Sequence, residues 1–182
     1  MELKIDFKEP YKVSLSGQTV TISKGEKSES KTFRCKNVDF AIEGNSLVLR
    51  GLNEKKRTSS IIKTVKKQLE NLVVGLEKGY EYRLRVVFSH FPINLQVSGK
   101  NVVINNFGGE KKPRKAKIVG ENTKVEIKGK EITITGSNSE HVGQTAANLE
   151  RATAIKNKDL RVFQDGIYLI SKGLAQKEKE GA

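Results

Sequence analysis

The chain has 182 residues, enough for one large domain or for two small ones, each near the lower size at which a hydrophobic core sustains itself. A formal charge of +13 and a pI near 9.8 favour a polyanionic partner, either nucleic acid or an acidic membrane surface. With Cys35 as the only cysteine, no Asn-x-Ser/Thr site and no apolar run approaching the ~18 residues that cross a bilayer, the expectation is a cytoplasmic protein without disulfide, leader or membrane span.

The basicity is not confined to a tail. Residues 1–90 carry 18 Lys and Arg against 11 Asp and Glu, and residues 91–182 carry 16 against 10.

In chain order, "SGQTVTI" (Ser16 to Ile22) alternates apolar and polar residues as a half-buried strand does. "FAIEGNSLVLRG" (Phe40 to Gly51) has two such arms around Gly44 and Asn45 and predicts a hairpin. A helical pattern follows, with Ile62, Val65, Leu69, Leu72 and Leu76 on one side and Lys63, Lys66, Lys67 and Glu70 on the other. Thr58 is the expected cap and Gly79 the expected stop. The basic cluster "EKKRTSS" (Glu54 to Ser60) ahead of this helix reads as solvated surface. "YEYRLRVVF" (Tyr80 to Phe88) is one more strand.

The pattern then returns. "SGKNVVI" (Ser98 to Ile104) repeats the first strand signal, and "VEIKGKEITITG" (Val125 to Gly136) lines up with the first hairpin, Gly129 falling on Gly44. A second helix is predicted with Asn138 or Ser139 as cap and Val142, Ala146, Leu149 and Ala152 or Thr153 at helical spacing. "VFQDGIYLI" (Val162 to Ile170) closes this half as a strand. The expected fold class is therefore α+β: two tandem duplicated domains, each a small, mostly antiparallel sheet with one helix packed on one face. The first repeat is assigned to residues 1–92, the second to 93–172, and a polar flexible tail to 173–182.

A duplicated scaffold keeps its core and diverges where its surface is used. "NNFGGEKKPRKAKIVG" (residues 105–120) holds Lys111, Lys112, Arg114, Lys115 and Lys117 with no carboxylate between the first and the last. Its counterpart in the first half, "SKGEKSESKTF" (Ser23 to Phe33), alternates Lys with Glu and approaches neutrality. Gly108 and Gly109 allow close backbone approach and Pro113 holds the stretch extended. A second divergent piece, "AIKNKDLRVFQDGIY" (Ala154 to Tyr168), sets Lys156, Lys158, Arg161, Gln164 and Tyr168 around Phe163, a mixture suited to phosphate contact and to packing on a base or sugar.

Catalytic motifs are missing. "GGEKKPRK" lacks the closing Gly-Lys-Ser/Thr of a P-loop, and neither GxSxG nor GxGxxG occurs. Two histidines, His90 and His141, and one cysteine offer no zinc-ligand spacing. Glu150, Asp159 and Asp165 could in principle form a carboxylate set for metal-assisted chemistry, but Asp165-Gly166 reads as a turn. No enzyme activity, metal or cofactor is expected.

Four ordered motifs, "RVVFSHFPI", "GEKKPRKAKI", "VGQTAANLERAT" and "IKNKDLRVFQDGIY", together resemble the large ribosomal subunit protein six family, in its archaeal form. The resemblance implies a two-domain ribosomal protein that binds large-subunit ribosomal RNA near the sarcin-ricin loop and the stalk base. Neighbouring ribosomal proteins and, close by, translation factors would be its other partners. It implies that the second domain makes the main RNA contacts, with Lys111, Lys112, Arg114, Lys115 and Lys117 on the phosphate backbone. Gly143 and Gln144 would then stand at the start of the second helix against a phosphate, and Lys156, Lys158, Arg161 and Gln164 would form the other wall. The sequence departs from the family in lacking, at 23–30, a Gly-Pro-Lys-Gly turn that many relatives carry and in having Leu160 where archaeal members usually carry proline. Outside the family, a free-standing RNA-binding regulator or chaperone module is the main alternative, followed by an adaptor on an acidic membrane.

Overall fold

The computed structural model describes residues 2–7, 9–25, 27–53, 55–88, 90–159 and 161–175. The chain divides into two compact units, the first ending at Glu77 and the second starting at Lys78.

The first unit contains β1 (Glu2–Asp6), β2 (Tyr11–Ser16), β3 (Thr19–Lys24), β4 (Lys27–Thr32), β5 (Val38–Glu43), β6 (Ser46–Gly51) and α1 (Lys56–Lys78). Its strands form two antiparallel three-stranded sheets, in the orders β1-β6-β5 and β2-β3-β4. The alternation read from the sequence sends Val20 and Ile22 of β3 and Leu47 and Leu49 of β6 inward. There they meet Ile62, Val65, Leu69, Leu72 and Leu76, the buried stripe of α1. Thr58, expected as the cap, instead lies inside the helix and is buried. Gly79 ends the helix with a φ of +75°, a left-handed conformation that a side chain makes costly.

The second unit contains β7 (Tyr80–Val87), β8 (Asn94–Ser98), β9 (Asn101–Asn105), a 3-10 turn over Phe107–Gly109, β10 (Arg114–Lys117), β11 (Lys124–Lys128), β12 (Glu131–Gly136), α2 (Ser139–Ala152) and β13 (Gly166–Leu174). Its sheets run β10-β9-β8 and β11-β12-β7-β13, all antiparallel. A separate core gathers Leu84, Val86, Val102, Ile104, Ile132, Ile134, Val142, Leu149 and Ile167. The Asn138 side chain accepts from the Glu140 N–H and caps α2, as its position before the helical pattern predicts.

The α+β class and the duplication are borne out, with each unit dividing its strands between two sheets. The boundary is not where the sequence placed it. Residues 80–87, assigned to the end of the first repeat, open the second: β7 is hydrogen-bonded to β12 on one edge and to β13 on the other. A strand that follows a helix satisfies local pattern rules in either unit, and only its long-range partners decide. The register makes the equivalence explicit. The Phe7 N–H donates to the Asn45 carbonyl as the Val86 N–H donates to the Lys130 carbonyl, each pair next to the matching turn glycine, Gly44 or Gly129. Residues 173 and 174, assigned to the tail, belong to β13 and pair with Glu81 and Tyr80. The remaining tail beyond 175 lies outside the described residues.

Candidate nucleic-acid interface

The five cations of the opening stretch separate into two kinds. Lys111 and Lys112 lie exposed just before β10, and along β10 the period of two turns Ala116 inward while Lys115 and Lys117 face solvent. Among the described residues no ion pair engages these four lysines. Three of the five cations of this stretch, Arg114, Lys115 and Lys117, are on a strand.

Arg114 differs from them. Its Nε donates to Glu110 Oε2 at 2.8 Å and its Nη2 to Glu110 Oε1. Its Nη1 donates to the carbonyls of Ala152 (2.9 Å) and Ala154 (3.3 Å), where α2 ends. The guanidinium also lies 4.3 Å from the Phe107 ring centroid. Glu110 is held below the usual carboxylate range, first by the hydrogen bond from Arg114, against a smaller burial effect, with the charges of Arg114 and Lys158 adding. Among the described residues, Arg114 is therefore paired within the protein, unlike the four lysines. Its partner, Glu110, stands just before the run that the sequence argument counted as free of acids.

Arg114 is a brace between β10 and the end of α2. Arg114→Ala is expected to destabilise the second unit by about 2 kcal/mol, since hydrogen bonds to charged groups contribute roughly 1.5–3 kcal/mol. Arg114→Lys should restore little of that loss, because an ammonium cannot reproduce the planar fork. Lys111→Ala should stay within about 0.5 kcal/mol of the parent. Urea unfolding of the three variants checks the contrast.

The segment after α2 forms the opposite wall. Lys158 Nζ sits 4.5 Å from the Phe163 ring centroid, and Phe163 stacks on His90 at 4.7 Å. His90 Nδ1 lies 2.8 Å from Oδ2 of Asp165, whose side chain is only 4% exposed. Asp159 Oδ1 accepts from the Arg161 N–H, shaping the bend that exposes Arg161. Gln164 donates weakly to the Arg161 carbonyl at 3.4 Å, and its own carbonyl accepts from the Tyr168 hydroxyl. Lys156, Lys158 and Phe163 line one cleft with His90, Phe107 and Arg114, so the two divergent stretches meet in space. Leu160, the family departure, lies outside the described residues.

Gly143 and Gln144 do not stand at the helix start. The helix begins at Ser139, which places them one turn further in. A Cβ on Gly143 would lie 3.6 Å from Tyr82 Cε2, ordinary contact, so the glycine faces β7 of its own unit. The Gln144 amide donates to Asn148 Oδ1 (2.9 Å), and Asn148 Nδ2 donates to the Lys117 carbonyl (2.8 Å). Gln144 thus reaches the basic strand through Asn148, which sequence reading missed.

Gly143→Ala is expected to be neutral or stabilising by up to about 1 kcal/mol, the propensity difference between the two residues in a helix. Gly120→Ala is the contrasting case, because its φ is +84° and the new Cβ would lie 2.5 Å from His141 Nδ1. It should cost about 2 kcal/mol or more. Thermal melts of the two variants distinguish a spacious glycine from a required one.

The carboxylates considered for metal chemistry serve the fold. Glu150 Oε1 accepts from the Leu169 N–H, Asp159 bonds the bend and Asp165 bonds His90. Among the described residues no group of three or more potential ligands is close enough to hold a metal. No helix there is long and apolar enough to cross a membrane.

A family model described as Ribosomal protein L6 matches residues 91–166, the span that contains both walls of the cleft. The chain is 46% identical over 169 residues to the Large ribosomal subunit protein uL6 of Methanobrevibacter smithii, covering 93% of this chain and 94% of the relative. It is 46% identical over 163 residues to the protein of the same name from Thermoplasma acidophilum, covering 90% and 91%. With that from Methanosarcina mazei it shares 43% identity over 169 residues, covering 92% and 95%. Identity at this level extends through both units and past the matched domain in both directions, and the chain belongs to the ribosomal protein L6 family, the uL6 proteins of the large ribosomal subunit.

Proposed function

We propose that the second unit anchors the chain to large-subunit ribosomal RNA through the exposed lysines of the 111–117 stretch and the segment after α2. The location that the family resemblance implies is near the sarcin-ricin loop and the stalk base, where the protein supports the region that translation factors approach. The coarser statement follows from family membership. The chain is a structural, non-enzymatic constituent of the large ribosomal subunit, associated with its RNA and with neighbouring ribosomal proteins, cytoplasmic and ribosome-bound.

The observation that carries the finer reading is charge without a counter-ion. Lys111, Lys112, Lys115 and Lys117 are exposed, and no ion pair engages them among the described residues. RNA phosphates supply the missing counter-ions, and release of condensed cations from the RNA drives the association. Lys156, Lys158 and Arg161 extend the same surface, Gln164 adds an amide at its rim, and Phe163 with His90 offers a flat ring stack against which a sugar or base can pack. Arg114 acts from behind as the brace that sets the two walls. Gln144 orients β10 through Asn148, and Gly143 faces Tyr82 of β7 with room for a methyl group.

Sedimentation tests the reading. The chain should travel with large subunits in stoichiometric amount through washes at moderate salt, and ultraviolet cross-links to RNA should fall in residues 107–118 and 155–164. Loss from the subunit in the first wash would instead favour a free-standing RNA-binding regulator.

A further inference from the structure

The duplication leaves one place where the two units differ in a way that calls for an occupant. In the second unit the outer edge of β7 is filled by β13. In the first unit the equivalent strand is β1, and among the described residues no strand pairs with its outer edge. We infer that this edge of β1 receives an extended segment of another large-subunit protein, which adds to the β1-β6-β5 sheet as a fourth strand in the position that β13 takes in the second unit.

The register identifies the exposed groups. The Phe7 N–H, just after β1, bonds the Asn45 carbonyl, so Ile5 and Leu3 are the residues of β1 whose backbone groups likewise face β6. The alternation of an antiparallel ladder therefore turns the N–H and C=O of Glu2, Lys4 and Asp6 outward. In β7 the same alternation turns Glu81, Arg83, Arg85 and Val87 outward, and these are the residues that pair with Gly173, Ser171, Tyr168 and Gly166 of β13. An edge with this row of donors and acceptors is a template for a further strand.

The side chains agree with the backbone. In the second unit β13 delivers Ile167 into the core, where it is 1% exposed. Its neighbours on β7, Leu84 and Val86, are 0% and 3% exposed, whereas their equivalents Ile5 and Phe7 retain 9% and 8%. Where the side chains of a covering strand would lie, the first unit has a groove of about 810 Å³ between β1 and α1, floored by Ile5, Phe7, Tyr11, Val73 and Val74. Its rim mixes Lys66 with Glu70 and Glu77, so it selects neither a polyanion nor a polycation. RNA therefore has no charge-based reason to settle there. A strand with apolar residues at alternate positions meets both the open ladder and the apolar floor.

The inference rests on membership of the large subunit, and incorporation of the chain is scored separately so that failure of that reading is recognised as such. Amide hydrogen exchange is compared between the free full-length chain and purified large subunits that contain it. The amides of Lys4 and Asp6 should exchange as an open edge in the free chain and slow by ~100-fold or more in the subunit, as paired strand amides do. A photo-reactive side chain introduced at Lys4 should, in the same subunits, cross-link to one stretch of another protein with apolar residues at alternate positions. Amides that are not slowed overturn the inference. So do slowed amides whose cross-link falls on RNA, on residues 176–182 of this chain, or nowhere, and so does slowing in the free chain that grows with concentration, which would identify a second copy as the occupant.

Discussion

Replacing Lys111, Lys112, Lys115 and Lys117 together by Gln lowers the slope of log affinity against log salt by roughly 3, because each lost phosphate contact removes about 0.7 to 0.9 from it. At moderate salt this is the largest functional effect expected of any surface change in the chain. Stability should hardly move, since the four side chains are exposed and without ion-pair partners among the described residues. Removing them should even relieve some mutual repulsion. Arg114 is left in place by design. Its guanidinium holds β10 to the end of α2, and removing it would confuse loss of RNA contact with loss of the scaffold that presents the lysines. Filter binding of the intact variant to large-subunit RNA over a salt series provides the measurement, and an unchanged slope would place the lysines away from phosphate.

The second large effect separates the units. A fragment of residues 78–182 is expected to fold and to prefer its cognate RNA over unrelated RNA by ~10-fold or more, given one or two well-placed contacts of roughly 1–3 kcal/mol. A fragment of residues 93–182 should not fold, although it keeps every cation of the proposed site. It lacks β7, an interior strand of its sheet that pairs on both edges and contributes the buried Leu84 and Val86. Without it the inward side chains of β12 and β13, Ile132, Ile134 and Ile167, face an open core. Circular dichroism melts should show a cooperative transition for the longer fragment and none for the shorter. The first unit alone, residues 1–77, should fold and bind both RNAs weakly and alike. Equal discrimination by both units would remove the asymmetry on which the site rests.

Local pattern carried much of the fold. Gly17 in the "SG" turn and Gly99 in its repeat both take positive φ, so the matching sequence signals produced matching hairpins. The buried stripe of α1 is the one its spacing of three and four predicts, and the cap at Asn138 forms. The family resemblance drawn from four motifs is borne out by relatives matched over nearly the whole chain. Information that depends on long-range partners was not legible. Residues 80–87 have strand periodicity in any context, and only pairing with β12 and β13 assigns them to the second unit.

The site divides along the same line. Clustering of cations was visible in composition, but their individual states were not. Arg114 looks like its neighbours in the sequence, and it differs because β10 turns it inward, toward Phe107 and the carbonyls that α2 leaves unsatisfied at its end. The family resemblance alone places Gly143 at the helix start, whereas the cap expected and found at Asn138 already sets the start one turn earlier. His90, Glu110 and Asn148 were missed for a related reason. His90 and Asn148 act through partners far away in sequence, Asp165 and the Lys117 carbonyl, while Glu110 acts through Arg114, four residues on, which is itself tied to the distant end of α2, and none forms a motif by itself.

Lysine footprinting tests the central claim most directly. Limited acetylation with a small reagent, followed by peptide mass spectrometry, is applied to the free chain and to purified large subunits. If Lys111, Lys112, Lys115, Lys117, Lys156 and Lys158 lie against ribosomal RNA, their modification should fall by ~10-fold or more in the subunit, in line with charge-assisted contacts to phosphate oxygens. Lys55, Lys56 and Lys63, at the solvated start of α1, should react alike in both states. Undiminished reactivity at 111–117 within intact subunits, with protection found on the first unit instead, would contradict the account.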